Sequence, residues 1–366
     1  MNQLFRWDQM GLFLLALAAG ILPFAVPEVC AAALREGLTL CSGPLLLSLF
    51  PFLVVSRLLI QCPESDLLAL PFRLAAWGIG IRTPCAARVL CIGFLGGFAP
   101  AASAAAQAVR TGQLTVEEAD ALLPACICSG PSFVVLTVGQ SLLGSAELGV
   151  LLFASQITAN YLTAALLNRF AGVRSVKPGS AAPASPAPLR LDEILADAAI
   201  TYCKLCGFIL FFRMLAAGAG ALLPAGAGTL CSILLEVCSG CDLASRTGRW
   251  GSLLCCAALS VQGLSVLLQV RTICPPEMTL RPLYRARMLH LPLSLALFYL
   301  LLPGGEADVF STLPARVLLM PPDCALLVFA VCCMAACTLR NGIRQVEQKQ
   351  MARNAGGCCI NSKTLL

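Results

Sequence analysis

The stretch Leu122–Gly139 reads LLPACICSGPSFVVLTVG, and its reading decides the fold. It carries no charge and approaches the roughly 20 apolar residues of a membrane-crossing helix, yet Ser129-Gly130-Pro131-Ser132 stands at its centre. Proline lacks a backbone donor and clashes with the preceding turn, and glycine weakens a helix, so the span is expected to break there. A break inside hydrocarbon frees polar backbone groups, which is tolerated only where it is buried in protein or lines a cavity. Transporters bind their solutes at such breaks. Taken alone, the segment also fits a Pro-kinked packing helix.

Composition places the whole chain in a membrane. Of 366 residues, 58% are hydrophobic and 12% charged, and mean hydropathy is +0.84; a soluble domain carries roughly 25% charge. The net charge of +6 is spread over loops and the C-terminal region, where it reports orientation in a bilayer and not nucleic-acid binding. The 21 cysteines lie mostly inside apolar runs, where they act as small hydrophobes. Cys203 with Cys206, and Cys238 with Cys241, have C-x-x-C spacing. Only His290 is available to complete a zinc site, so no metal site is expected.

Outward from the central stretch, Gly11–Val29 is expected to form a first span, and Leu38–Ile60 a second that carries Arg57. Residues 63–88 mix Arg73, Arg82 and Arg88 with Trp77 and Phe72, which suits a segment lying in the interface. The apolar piece Val89–Ala106 is interrupted at Gly93, Gly96-Gly97 and Pro100, and its halves are too short to cross, so a re-entrant hairpin is expected. Thr115 and Glu118 make a capping box that starts a short helix through Leu123. A regular span, Ala146–Phe170, holds Gln156, Thr158, Asn160 and Thr163, which should face protein or a cavity. After a Pro- and Ala-rich linker come Leu191–Leu223, a Gly-rich piece from Pro224 to Asp242, and a span from Trp250 to Val270. A basic segment with Arg281, Arg285 and Arg287 follows, then two spans at Met288–Pro303 and about Pro322–Leu339.

The two halves echo one another. Residues 52–59 (FLVVSRLL) align without gaps on 208–215 (FILFFRML), which superposes Arg57 on Arg213. Gly96-Gly97 meets Ser239-Gly240, and Ser129-Gly130-Pro131-Ser132 meets Gln262-Gly263-Leu264-Ser265. With the basic segments placed inside, the count is about eight spans plus two hairpins, and the repeats run in opposite directions. Arg246 and Arg249 are the main exceptions to that placement. The fold expected is all-α and integral to the membrane. The divisions are an N-terminal helix (1–37), a first repeat (38–170), a cytoplasmic linker (171–190), a second repeat (191–303), a last helix with its preceding loop (304–339) and a basic cytoplasmic tail (340–366).

The run GFLGGFAP (93–100), the helix start TVEEA (115–119) and the SGP break (129–131) resemble the first nucleoside-recognition (Gate) domain of the YlbJ-type sporulation integral membrane protein family. The sequences EVCSG (236–240) and GLSV (263–266) with Gln269 are similar to the second. The resemblance implies a fold like that of concentrative nucleoside transporters. It also implies export of a small organic anion, dipicolinate, from the mother cell toward the forespore across a multi-pass bacterial cell membrane or the mother-cell-derived membrane around the forespore. It departs at Cys126-Ile127-Cys128, where paired asparagines are expected, and at Phe98-Ala99-Pro100. The alternatives are transport of a nucleoside or other small solute, and a non-transporting scaffold or signalling protein of spore assembly. No nucleophile–base pair or phosphate loop marks an enzyme.

Half-helix N-termini hold carboxylates without a buried lysine. The expected substrate site is therefore Ser129, Gly130 and Ser132 with Gln262, Gly263 and Ser265, closed by hairpin tips at Gly96, Gly97, Ser239 and Gly240. Glu236, deep in an apolar run, either carries a coupling proton or Na⁺, or holds its hairpin in shape. Arg57 and Arg213 either steer an anion or reach for the interface. No cofactor is expected, and the partners are the lipid bilayer and a small anionic solute.

Overall fold

The computed structural model describes residues 2–171 and 190–302, and every regular element among them is helical. Four stretches, Pro27–Leu47, Ala146–Ala171, Leu191–Leu222 and Gly248–Ile273, are long and apolar enough to cross a membrane. The expected last span, the basic tail and nearly all of the linker lie outside the described residues.

The chain opens with α1 (Asn2–Ala25), α2 (Pro27–Ser42) and α3 (Pro44–Gln61). The single span expected over Leu38–Ile60 is thus divided. Pro44 has no N–H to donate and biases the residue before it away from helical angles, and Gly43 sits at φ −111°, ψ −102°. A long helix, α9 (Leu191–Leu222), runs antiparallel to this pair. Arg213 meets Glu36 at 2.7 Å, Tyr202 donates to the Cys41 carbonyl and packs its ring edge-on to Phe50, and Arg57 meets Asp197 at 2.8 Å.

Between α3 and α9 in the chain, α4 (Leu70–Gly78) exposes Leu70, Leu74 and Trp77, as an interfacial helix would. Arg88 is not part of that surface: it donates to the Ile60 carbonyl at 2.8 Å and pairs with Asp66 at 3.1 Å. Next, α5 (Pro84–Gly96) folds back on α6 (Phe98–Arg110), with Gly97 alone between them. Alanines make up much of α6, and they are fully buried at Ala101, Ala102, Ala104, Ala105 and Ala108. Such small side chains let α3, α5, α7 (Val116–Cys126) and α13 (Gly263–Ile273) approach it closely, so α6 lies at the centre of the molecule.

The capping box at the start of α7 forms: Glu118 N–H donates to Thr115 Oγ1 at 3.1 Å, and Thr115 N–H to Glu118 Oε2 at 3.2 Å. The helix runs one turn beyond Leu123, to Cys126, and residues 127–130 then leave helical geometry. The chain resumes as a π-helix, π1 (Ser132–Leu142), with Leu143 N–H bonded five residues back to Val138. A regular span, α8 (Ala146–Ala171), packs against both α7 and π1.

The second half contains a hairpin of α10 (Ala225–Leu235) and α11 (Val237–Ser245), and then α12 (Gly251–Val261) leading into α13. The junction of α12 and α13 is a single left-handed residue, Gln262, at φ 66°. The basic segment and the span expected after it are one helix, α14 (Arg281–Leu301), which packs against α7, α8 and α12.

Candidate functional site

Each hairpin tip sits on one helix break. Gly97 at the first tip has φ +81°, and a Cβ there would lie 2.6 Å from the Gly130 backbone nitrogen and 3.2 Å from the Cys128 carbonyl oxygen. At the second tip the glycine is on the other partner: Gly263, at φ +71°, would bring a Cβ within 2.9 Å of the Glu236 nitrogen and 3.0 Å of the Leu235 carbonyl. Glycine is needed at both contacts because backbone meets backbone and φ is positive. The second half of each broken helix also crosses to the other half of the chain: α13 packs on α6, and π1 on α11.

A cavity of about 60 Å³ lies where these parts converge, room for a few waters. Gly96, Ser129, Gly130, Ser132 and Glu236 line it, together with Gln269. Of the other residues expected at a site, Gly97 is in contact with it through Gly130. Gly240 lies against Ile233 and serves the packing of α10 on α11. Gln262 is buried and turns its Nε2 to the Leu259 carbonyl at 3.1 Å, leaving Oε1 unpartnered. Ser265 is fully buried and accepts from Gln269 Nε2 at 2.8 Å.

Glu236 is the N-cap of α11. Its carboxylate accepts from Cys238 N–H at 2.9 Å, Ser239 N–H at 2.7 Å and Ser239 Oγ at 2.9 Å. Ser239 is therefore held by the hairpin itself. The repeated arginines are also engaged, Arg57 by Asp197 and Arg213 by Glu36. Their positions are reciprocal: the arginine on α3 reaches an acid on α9, and the arginine on α9 an acid on α2.

The breaks leave helix-end carbonyls that need donors. Arg287, on α14 and buried, supplies them: Nη2 lies 2.7 Å from the Ile127 carbonyl and 3.1 Å from Asn160 Oδ1, and Nη1 lies 3.4 Å from the Ser260 carbonyl. Asn160 Nδ2 adds a second donor to Ile127 at 3.3 Å. Other amides of α8 act similarly, Gln156 on the Cys256 carbonyl at 3.2 Å and Asn168 on the Ala121 carbonyl at 3.1 Å.

Of the polar residues expected to avoid lipid on α8, Gln156, Asn160 and Thr163 are buried but Thr158 is exposed. Positions 156, 160 and 163 share a helical face, and 158 is on the opposite one. Of the basic segment expected at Arg281, Arg285 and Arg287, the first two are exposed on α14 and Arg287 is buried. Asp120, which the motif reading passed over, ties α7 to the turn before α14 by accepting from Thr279 N–H at 2.9 Å and Leu280 N–H at 3.3 Å. A capping box and a proline-bounded break are local patterns; Ile127 and Asn160, which Arg287 reaches, and Thr279 and Leu280, which Asp120 reaches, are over a hundred residues away, and no local signal names them.

Among the described residues no three His, Cys, Asp or Glu side chains come together as a metal site, and the cysteines are free thiols. Compared with protein-family models, with curated proteins and with solved structures, the chain matches none.

Proposed function

We propose that the chain is a multi-pass bacterial membrane transporter of a small organic anion, built from two inverted repeats. The observation that carries this reading is the doubled junction of hairpin tip on helix break, with Gly97 on Gly130 and Gly263 on Glu236, beside one cavity. In this arrangement α1, α2 with α3, α7 with π1, α8, α9, α12 with α13, and α14 cross the bilayer. The last span expected from the sequence lies outside the described residues, and the two hairpins re-enter from opposite faces. The reciprocal ion pairs of Arg57 and Arg213, and the exchanged packing of α13 on α6 and π1 on α11, support a two-fold relation in the membrane plane.

A scaffold has no need of breaks at membrane depth, whereas a transporter uses their helix ends to bind. The solute is anionic in this reading because Ser129 and Gly130 precede a helix N-terminus at the cavity, while the Glu236 carboxylate that also lines it is engaged by α11. Dipicolinate is the anion implied by the resemblance to sporulation membrane proteins. Uptake of labelled dipicolinate into proteoliposomes containing the full chain tests this: uptake above empty liposomes is expected, with at least a tenfold loss in Ser129→Ala. No uptake by the native chain overturns the substrate, and full activity of Ser129→Ala overturns the site.

A further inference from the structure

A second, larger cavity of about 140 Å³ lies between α3, α6, α9 and α13. Its wall contains three buried polar atoms without a hydrogen-bond partner: Ser103 Oγ, Arg57 Nε and Gln269 Oε1. Ser103 and Gln269 are each 2% exposed and Arg57 8%. Buried polar groups are ordinarily paired, and three orphans on residues that line one cavity point to a ligand. The rim adds Arg110 and Lys204, neither of which forms an ion pair among the described residues, while the one acid, Asp197, is held by Arg57. Cations thus outnumber acids at the mouth. Gln269 lines this cavity and the one at the breaks alike.

We propose that this cavity is a vestibule that binds the carboxylate of the solute before it reaches the breaks, and that Gln269 is the partition between the two stations. The assignment rests on the transport reading. Ser103 Oγ–H and Arg57 Nε–H donate to the carboxylate, and Arg110 and Lys204 draw it in. Gln269 is anchored on the Ser265 hydroxyl, which both donates and accepts. Its amide can therefore turn over, presenting oxygen or NH₂ to the cavities while keeping the anchor. The NH₂ face passes an anion, and the oxygen face opposes one.

Thermal unfolding of the detergent-solubilised full chain reads binding without transport. Dipicolinate and benzoate should raise the midpoint, and the uncharged 2,6-pyridinedimethanol should not. Ser103→Ala should weaken the carboxylate effect about tenfold, and Lys204→Gln severalfold. Equal stabilisation by the neutral compound or by sulfate, or an unchanged response in Ser103→Ala, overturns the vestibule. In proteoliposomes Gln269→Leu should lower flux at least tenfold with its ligand-free unfolding midpoint preserved; unchanged flux overturns the partition. Native protein that binds dipicolinate but does not move it refutes transport alone, and flux without the Ser103-dependent binding refutes the vestibule alone.

Discussion

Arg287 is buried beside the last carbonyls of both broken helices, and no carboxylate pairs with it among the described residues. Its counter-charge is the negative end of two helix dipoles, at Ile127 and Ser260. Replacing it with Met leaves those carbonyls short of donors inside the protein, and a loss of about 3 kcal/mol is expected. Arg287→Lys keeps the charge but not the planar fork that reaches both ends, and should recover only part of the loss. Unfolding in detergent measures both, and a Met variant as stable as the native chain removes Arg287 from this role. Glu236 is read as a cap by the same reasoning. Glu236→Gln should cost about 1 kcal/mol and leave the pH and Na⁺ dependence of transport as it was; a changed dependence assigns it to coupling instead.

At the scale of elements, the hairpin–break junctions are the stiff points of the fold, and they are asymmetric. Gly97 combines φ +81° with ψ −164°, a region essentially restricted to glycine, and its neighbour across the contact is backbone that cannot swing aside. A Gly97→Ala change should cost about 3 kcal/mol or more and displace the tip, with loss of transport. Gly130→Ala meets nothing nearer than 3.4 Å, so its cost should stay near about 1 kcal/mol. Comparable unfolding midpoints for the two variants would contradict this contact geometry. The helix that leads into the break is locally encoded: Thr115 and Glu118 cap it, and Thr115→Ala is expected to lose about 1 kcal/mol.

For the whole molecule, the inverted arrangement we propose would place the turn between α11 and α12 on one face of the membrane and the turn between α13 and α14 on the other. Thr247 and Glu277 are exposed in these two turns. A protease site inserted at 247 should be cut only from one side of oriented vesicles, and one at 277 only from the opposite side. Cleavage of both from the same side would mean that α12 and α13 do not cross together, and the eight-span arrangement would fail with them.

The amino-acid sequence by itself determined the helical, apolar character of the chain, the capping box, the break after Cys126 and the two glycine-bearing hairpins. Each depends on residues within a turn or two of one another, where proline, glycine and caps act directly on the backbone. Tertiary structure alone decided which parts meet. It paired Arg57 with Asp197 and Arg213 with Glu36, and buried Arg287 beside the carbonyls of both breaks. It also gathered Ser103, Arg57 and Gln269 around one cavity from three helices. The physical reason is that buried charges and amides must find partners wherever packing places them, and for Arg57, Gln156 and Arg287 those partners come from the opposite half of the chain.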